Sequence, residues 1–172
     1  MPAAKKAAAK KPAAQNSDLA KKAPAKKAAS KDATAMLKAD HRLVAGLFED
    51  FEKSRSDKRK MDIVAQICKE LTVHAQIEEE IFYPAVKAEL EDHELIPEAT
   101  VEHAAVKDLI AAVQGKTPFG EMYDAKVKVL SEMIEHHVKE EEQRVEGMFA
   151  QAKKAGLDMD ALGEQMAAEK AE

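Results

Sequence analysis

The sequence predicts an all-α protein: an up-down-up-down four-helix bundle with a short C-terminal helix and a disordered N-terminal tail. Three observations carry this reading. Apolar residues recur at alternating steps of three and four along four long stretches, which is the period of one helix face. Ala, Glu, Lys, Leu and Met dominate, whereas aromatic residues make up 4% of the chain and Trp is absent, so strand-forming residues are scarce. Short polar or Gly/Pro-containing runs separate the stretches, and helices joined this way pack most simply as antiparallel neighbours.

The elements follow in order. Residues 1–31 are low in complexity and carry nine Lys and one Asp, net +8, with Pro12 and Pro24 interrupting any helix. Like charges repel and nothing there buries a core, so this tail is expected to be disordered. Residues 32–172 carry net -13 and form the folded domain. Ser30 or Asp32 caps helix 1, which runs from about Asp32 to Ser54 with Leu37, His41, Val44, Phe48 and Phe51 inward. Helix 2 follows the polar turn 54–57 and runs to about Glu89, with Val64, Ile67, Leu71, His74, Glu78, Ile81 and Ala85 inward; Pro84 and the residues near Asp92 close it. Helix 3 begins near Pro97 and stops at Gly115 to Pro118, with Ala99, His103, Val106 and Ile110 inward. Helix 4 spans roughly Phe119 to Lys154, carrying Val127, Leu130, Ile134, His137, Glu141 and Met148, and Gly156 caps it. A last short helix, about Asp158 to Lys170, docks Leu162 and Met166 on the body.

Polar residues interrupt these stripes at one level only. His74 and Glu78, and again His137 and Glu141, stand four apart, so each pair shares a helix face. His41 and His103 precede them, giving the order H, HxxxE, H, HxxxE. At 1.5 Å per residue, His41 and His74 lie about 22 and 27 Å from the first turn, within one helical turn of each other. Similar counts across the other two turns bring all four helices to one height. A single HxxxE means little in a glutamate-rich chain, and His136 to Glu140 is a chance match. Two carboxylates on apolar stripes are different, because a buried, unpaired carboxylate costs several kcal/mol unless a cation or strong donors sit beside it. A metal supplies that cation; a metal-free buried polar network is the competing reading.

Four imidazoles and two carboxylates exceed the four ligands typical of one zinc. They suit two ions, each with two histidines and both bridged by Glu78 and Glu141, and ligation without thiolate favours iron or manganese. His136 falls beside the stripe, in an outer shell or on the surface, and His93 falls in a turn. Cys68, the single cysteine, reads as a small core residue and cannot form an internal disulfide.

These residues resemble a known family. The H, HxxxE, H, HxxxE order, with Asp40-His41, His74 to Glu80 followed by Ile81-Phe82-Tyr83-Pro84, Glu102-His103 and His137 to Glu142, looks like the hemerythrin-like HHE cation-binding domain over about residues 34 to 170. The resemblance implies a non-haem di-iron centre with an oxo or hydroxo bridge, held by His41, His74, Glu78, His103, His137 and Glu141. Oxygen-carrying members have a further histidine one turn after the third-helix histidine, where this chain has Lys107. A position is thereby opened for an exogenous ligand or for a nearby side chain such as Tyr83, although packing at the bundle edge is the expected role of Tyr83. The ferritin-type Glu-x-x-His tetrapeptide does not occur in the chain.

The expected function is therefore a di-iron protein that binds or reacts with O2, NO or peroxide in stress response or sensing, with catalase-like decomposition of peroxide as one form. A metal-stabilised interaction or iron-storage bundle is the alternative. The tail resembles those of linker histones and bacterial histone-like proteins, so non-specific DNA or another polyanion is its expected partner; folding back on the acidic body competes with this. No stretch approaches the roughly 18 apolar residues of a membrane helix, and no secretory apolar core is present near Met1. A transit peptide fits less well, because such segments favour Arg and Ser. A cytoplasmic, and through the tail nucleoid-associated, location is expected.

Overall fold

A computed structural model of the chain describes residues 32–90, 94–117 and 120–171. The tail, the alternative cap Ser30, His93 and the expected start of helix 4 at Phe119 lie outside them.

Among the described residues the helices are α1 (Ala33–Lys53), α2 (Asp57–Ile77), a π-helical turn (Glu78–Phe82), α3 (Tyr83–Glu89), α4 (Leu95–Val113), α5 (Glu121–Glu142), α6 (Met148–Ala155) and α7 (Met159–Glu169). The bundle is the expected one: α1 packs along α2, α4 along α5, and α7 lies against α1. Asp32 is the cap of α1, accepting from Ala35 N–H at 3.0 Å. Gly115, at φ 66°, follows α4, and Gly156, at φ 89°, closes α6. Both adopt the left-handed backbone that glycine enters without strain.

Two apolar clusters fill the bundle. One, around Phe48, Ile67, Leu71, Ile110 and Leu130, occupies the end near the first turn. The other gathers Leu37, Phe82, Val86, Met148, Phe149 and Met166 at the opposite end. A fully buried Leu or Ile contributes about 2 kcal/mol, so these clusters dominate stability. Cys68 is buried in the first, as expected of a core residue. The histidines and the two glutamates lie between the clusters.

Two elements depart from the sequence reading. The first is the face of helix 2 beyond Glu78. Ile81 and Ala85 were expected inward, but they are half-buried, and Phe82, Tyr83 and Val86 are buried instead. The cause is the π turn. Tyr83 N–H donates to Glu78 C=O, five residues back, so one extra residue is accommodated and every later residue advances by one position. Pro84 does not close the helix, because it falls in the first turn of α3, where a missing N–H is tolerated.

The second departure is helix 4, expected to be continuous from Phe119 to Lys154. It breaks after Glu142, where Gln143 turns extended at ψ 133°, and resumes as α6 at Met148. The break turns Met148 and Phe149 into the second cluster. Gly147 permits it by close approach: a Cβ there would lie 2.5 Å from Gln143 O and 2.8 Å from Glu140 O, both backbone atoms. Gly147→Ala is therefore expected to cost about 2 kcal/mol, or about 6 °C in melting temperature by thermal circular dichroism.

Candidate metal centre

All six sequence-identified residues come together, and all are buried: His41, His74, His103 and His137 at 7% exposure or less, Glu78 at 0% and Glu141 at 1%. The imidazoles meet in pairs. His41 Nε2 lies 3.1 Å from His74 Nε2, and His103 Nε2 lies 3.3 Å from His137 Nε2. Each carboxylate spans the two pairs. Glu78 Oε2 is 3.2 Å from His74 Nε2 and 3.4 Å from His103 Nε2. Glu141 reaches His41 Nε2 at 3.4 Å and His137 Nε2 at 3.6 Å. Two groups able to hold a cation result, His41-His74-Glu78-Glu141 and Glu78-His103-His137, with Glu78 in both.

The opposite ring nitrogens all point to carboxylates. His41 Nδ1 is 2.7 Å from Glu142, His74 Nδ1 3.4 Å from Asp40, His103 Nδ1 3.0 Å from Glu79 and His137 Nδ1 2.7 Å from Glu102. The pattern is a closed ring. Asp40 of α1 holds the histidine of α2, Glu79 that of α4, Glu102 that of α5, and Glu142 that of α1. Each carboxylate is the chain neighbour of an inward residue, yet serves the next helix. The sequence motif includes Asp40, Glu102 and Glu142 by position and Glu79 within its His74 to Glu80 stretch, but sequence reasoning gave none of the four a role.

Most of the ring is neutralised from outside. Lys170 donates to both oxygens of Asp40 at 2.7 and 2.8 Å, Lys107 to both oxygens of Glu79 at 2.7 Å, and Lys38 lies 3.5 Å from Glu142. Glu102 instead faces His136 at 3.7 Å, whose imidazole is exposed and also pairs with Glu140 at 3.1 Å. His136 thus sits on the surface beside the ring, as expected. Lys107 points away from the centre, toward Glu79.

Tyr83 overturns its expected role. Rather than packing at the bundle edge, its hydroxyl enters the centre, 3.3 Å from Glu78 Oε2, 3.1 Å from Glu141 Oε1 and 3.3 Å from His103 Nε2. The π turn causes this, because it places the residue five positions after Glu78, not four, on the same face. A tyrosine five past an inward glutamate is visible in the sequence; the turn that makes it inward is not. Burial, then the charges of Glu78 and Glu141, raise the hydroxyl far above its ordinary value, so it keeps its proton.

The donor set fits a metal. With each Nδ1–H given to an acceptor-only carboxylate, each Nε2 carries a lone pair toward the centre. Four lone pairs and two carboxylates then face one another in an apolar core. Among the described residues Glu78 Oε1 and Glu141 Oε2 accept no hydrogen bond. Such a cluster requires positive charge, either protons on Nε2 or metal ions. The protonated alternative is visible in His74: burial alone would lower it, but the charge of Glu78 and hydrogen bonds to Asp40 and Glu78 raise it to about 10. Burial would raise Glu78, and the charge of His74 with hydrogen bonds from His103 and His74 holds it well below the usual carboxylate range.

Residues 32–149 match the family model of the hemerythrin HHE cation-binding domain. A DNA nickase of Nostoc sp. is 29% identical over 110 residues, which is 62% of this chain, and the chain spans about 30% of that protein's length. A solved hemerythrin HHE cation-binding domain-containing protein from Mycobacterium kansasii matches with a TM-score of 0.66 and 25% identity, covering 81% of this chain and 85% of that one.

The pH dependence of the chelator-treated protein follows from His74 and Glu78. The folded value of His74 is raised from 6.5 to about 10, so its contribution is complete below 6.5 and is lost as pH climbs toward 10. That of Glu78 is lowered from 4.5, so its contribution is present above 4.5 and is lost as pH falls. The melting temperature is expected to decline from pH 6.5 to 10 without metal and to hold with metal bound, because metal replaces the protons. Parallel thermal melts across that range check this.

Proposed function

The chain belongs to the hemerythrin HHE cation-binding domain family, and from that premise we propose that it holds two iron ions and reacts with a small molecule, peroxide or NO above reversibly carried O2. His41 and His74 would hold one ion and His103 and His137 the other, with Glu78 and Glu141 available to both. The observation that carries this is the shape of the donor set: each carboxylate spans both imidazole pairs, and one oxygen of each accepts no hydrogen bond. Nitrogen and oxygen donors without thiolate suit iron. Iron bound there would supply one-electron redox steps and an open position for the exogenous molecule.

The chain's own groups do the rest. The carboxylate ring fixes every imidazole in one tautomer and orientation, which raises its basicity as a ligand. An apolar cavity bordered by Val44, Leu71, Val106 and Ile134 lies against the imidazoles and offers about 20 Å³ to a water-sized molecule. That volume suits a water-sized molecule or one of two heavy atoms, such as NO, O2 or hydrogen peroxide, rather than a larger organic substrate. On the other side Tyr83 holds a proton 3.1 Å from Glu141, within reach of the centre. Lys107, where an oxygen carrier has a ligand, is committed to Glu79. An open position with a fixed hydrogen-bond donor beside it favours turnover over carriage. Peroxide disproportionation to water and O2 suits such a site, since it consumes no external reductant.

A second reading adds DNA. The basic composition of residues 1–31 and a relative named as a DNA nickase support a domain brought to DNA by its tail, which neutralises phosphates without reading bases.

Metal analysis should find two irons per chain, with an optical spectrum that changes on adding peroxide or NO. A loaded protein silent to both would sink the reading and favour a metal-stabilised interaction or storage bundle. Tyr83→Phe is expected to keep both irons but to slow peroxide consumption about ten-fold, the scale of one lost hydrogen bond at the centre. For the tail, removing residues 1–31 should abolish DNA retardation at low salt; retention without them would refute that role.

A further inference from the structure

A cavity that small, enclosed between helices, needs an entrance, and two grooves approach it. The first runs between α1 and α5, which pack far less extensively than α1 with α2 or α4 with α5. It has a volume of about 300 Å³, with His41 at its inner end, Ala45, Phe48, Ile134 and Val138 as walls, and Glu49, Glu52 and Glu135 at its mouth. His41, Ile134 and Val138 also border the inner cavity. These three side chains face both the groove and the cavity. Ile134 and Val138 stand four apart on α5 and are half-buried, and both are apolar.

The second groove, about 440 Å³, lies between the π turn with α3 and α4, and is walled by Glu79, Tyr83, Pro84, Ile96, Ala104 and Lys107 among others. It is larger, but it shares no lining residue with the inner cavity. At its floor the buried Tyr83 ring and the Lys107–Glu79–His103 chain form a hydrogen-bonded wall. Opening it would break charge-assisted hydrogen bonds; opening the first requires only apolar side-chain motion.

We propose that the α1–α5 groove is the entrance through which a small uncharged molecule, NO, O2 or hydrogen peroxide, reaches the centre between Ile134 and Val138. The mouth sets the charge preference. Its three carboxylates outnumber the two ammonium groups paired with them, Lys53 on Glu49 and Lys139 on Glu135. Small anions meet like charge there and then an apolar passage, and both disfavour them. The proposal rests on the iron reading above.

The test uses the full chain loaded with iron and stopped-flow mixing with NO, hydrogen peroxide and azide. Ala45 and Ala104 are exposed, one in each groove, so Ala45→Trp and Ala104→Trp add an indole without entering the core. Ala45→Trp is expected to slow association of NO and peroxide at least ten-fold while leaving iron content, resting spectrum and equilibrium NO affinity unchanged. Ala104→Trp should leave the rates as they are. Glu52→Lys should speed azide association several-fold and leave NO unchanged; an unchanged azide rate overturns the charge preference. Equal rates in wild type and Ala45→Trp, or slowing by Ala104→Trp, overturn the entrance alone. A wild-type protein that responds to none of the three overturns the iron reading and the entrance with it.

Discussion

Everything in this bundle answers to two carboxylates buried in its core. Glu78 and Glu141 are as buried as the leucines around them, and an unpaired ion in that setting costs several kcal/mol, a large part of a domain's typical margin of stability. Four imidazoles therefore surround them, and the imidazoles need holding in turn. The four outer carboxylates do that, and lysines from α1, α4 and the residue closing α7 balance three of them. Charge alternates outward from the centre in shells, each explained by the one inside it. The C-terminal helix thus has an electrostatic task beyond packing, since Lys170 steadies the carboxylate that steadies His74.

The ring of outer contacts makes the helices interdependent. Because each carboxylate serves a histidine on the next helix, no helix can rotate about its axis without misplacing a neighbour's imidazole. Apolar clusters on either side supply most of the stability but tolerate small rotations, since Leu and Val contacts are not directional. The polar layer supplies the register. Such specificity is a recognised use of buried polar groups, and here it coincides with the candidate metal centre.

Much of this was legible in the sequence because it depends on period and length alone. The stripe positions identified Leu37, His41, Val44, Phe48 and Phe51 on one face, and all five are buried. Counting residues from each turn brought the four histidines to one level, and the stripe positions chose His137 over His136. What escaped were features with no periodic signature. The π turn leaves Ile81-Phe82-Tyr83 looking like ordinary helix, and its one-residue advance turned Tyr83 from an edge residue into a member of the centre. The break after Glu142 lacks a proline, and only Gly147 marks it. The outer carboxylates were hidden in runs such as Glu78-Glu79-Glu80, where composition cannot tell which acid points inward and which sideways.

The π turn has a consequence for how this chain can change length. Insertions and deletions are ordinarily confined to loops, because a residue gained or lost inside a helix rotates all that follows by about 100°. The turn at Glu78–Phe82 is an α-helix that has already absorbed one such residue, with Glu78 before it and Tyr83 after it both facing inward. Losing one residue from the stretch between them would relax it to an ordinary turn and leave those two side chains on the same face. Within its helices, this fold therefore has a place that tolerates a one-codon deletion directly beside its most chemically constrained residues, and an alignment of related chains should open a gap there, in mid-helix.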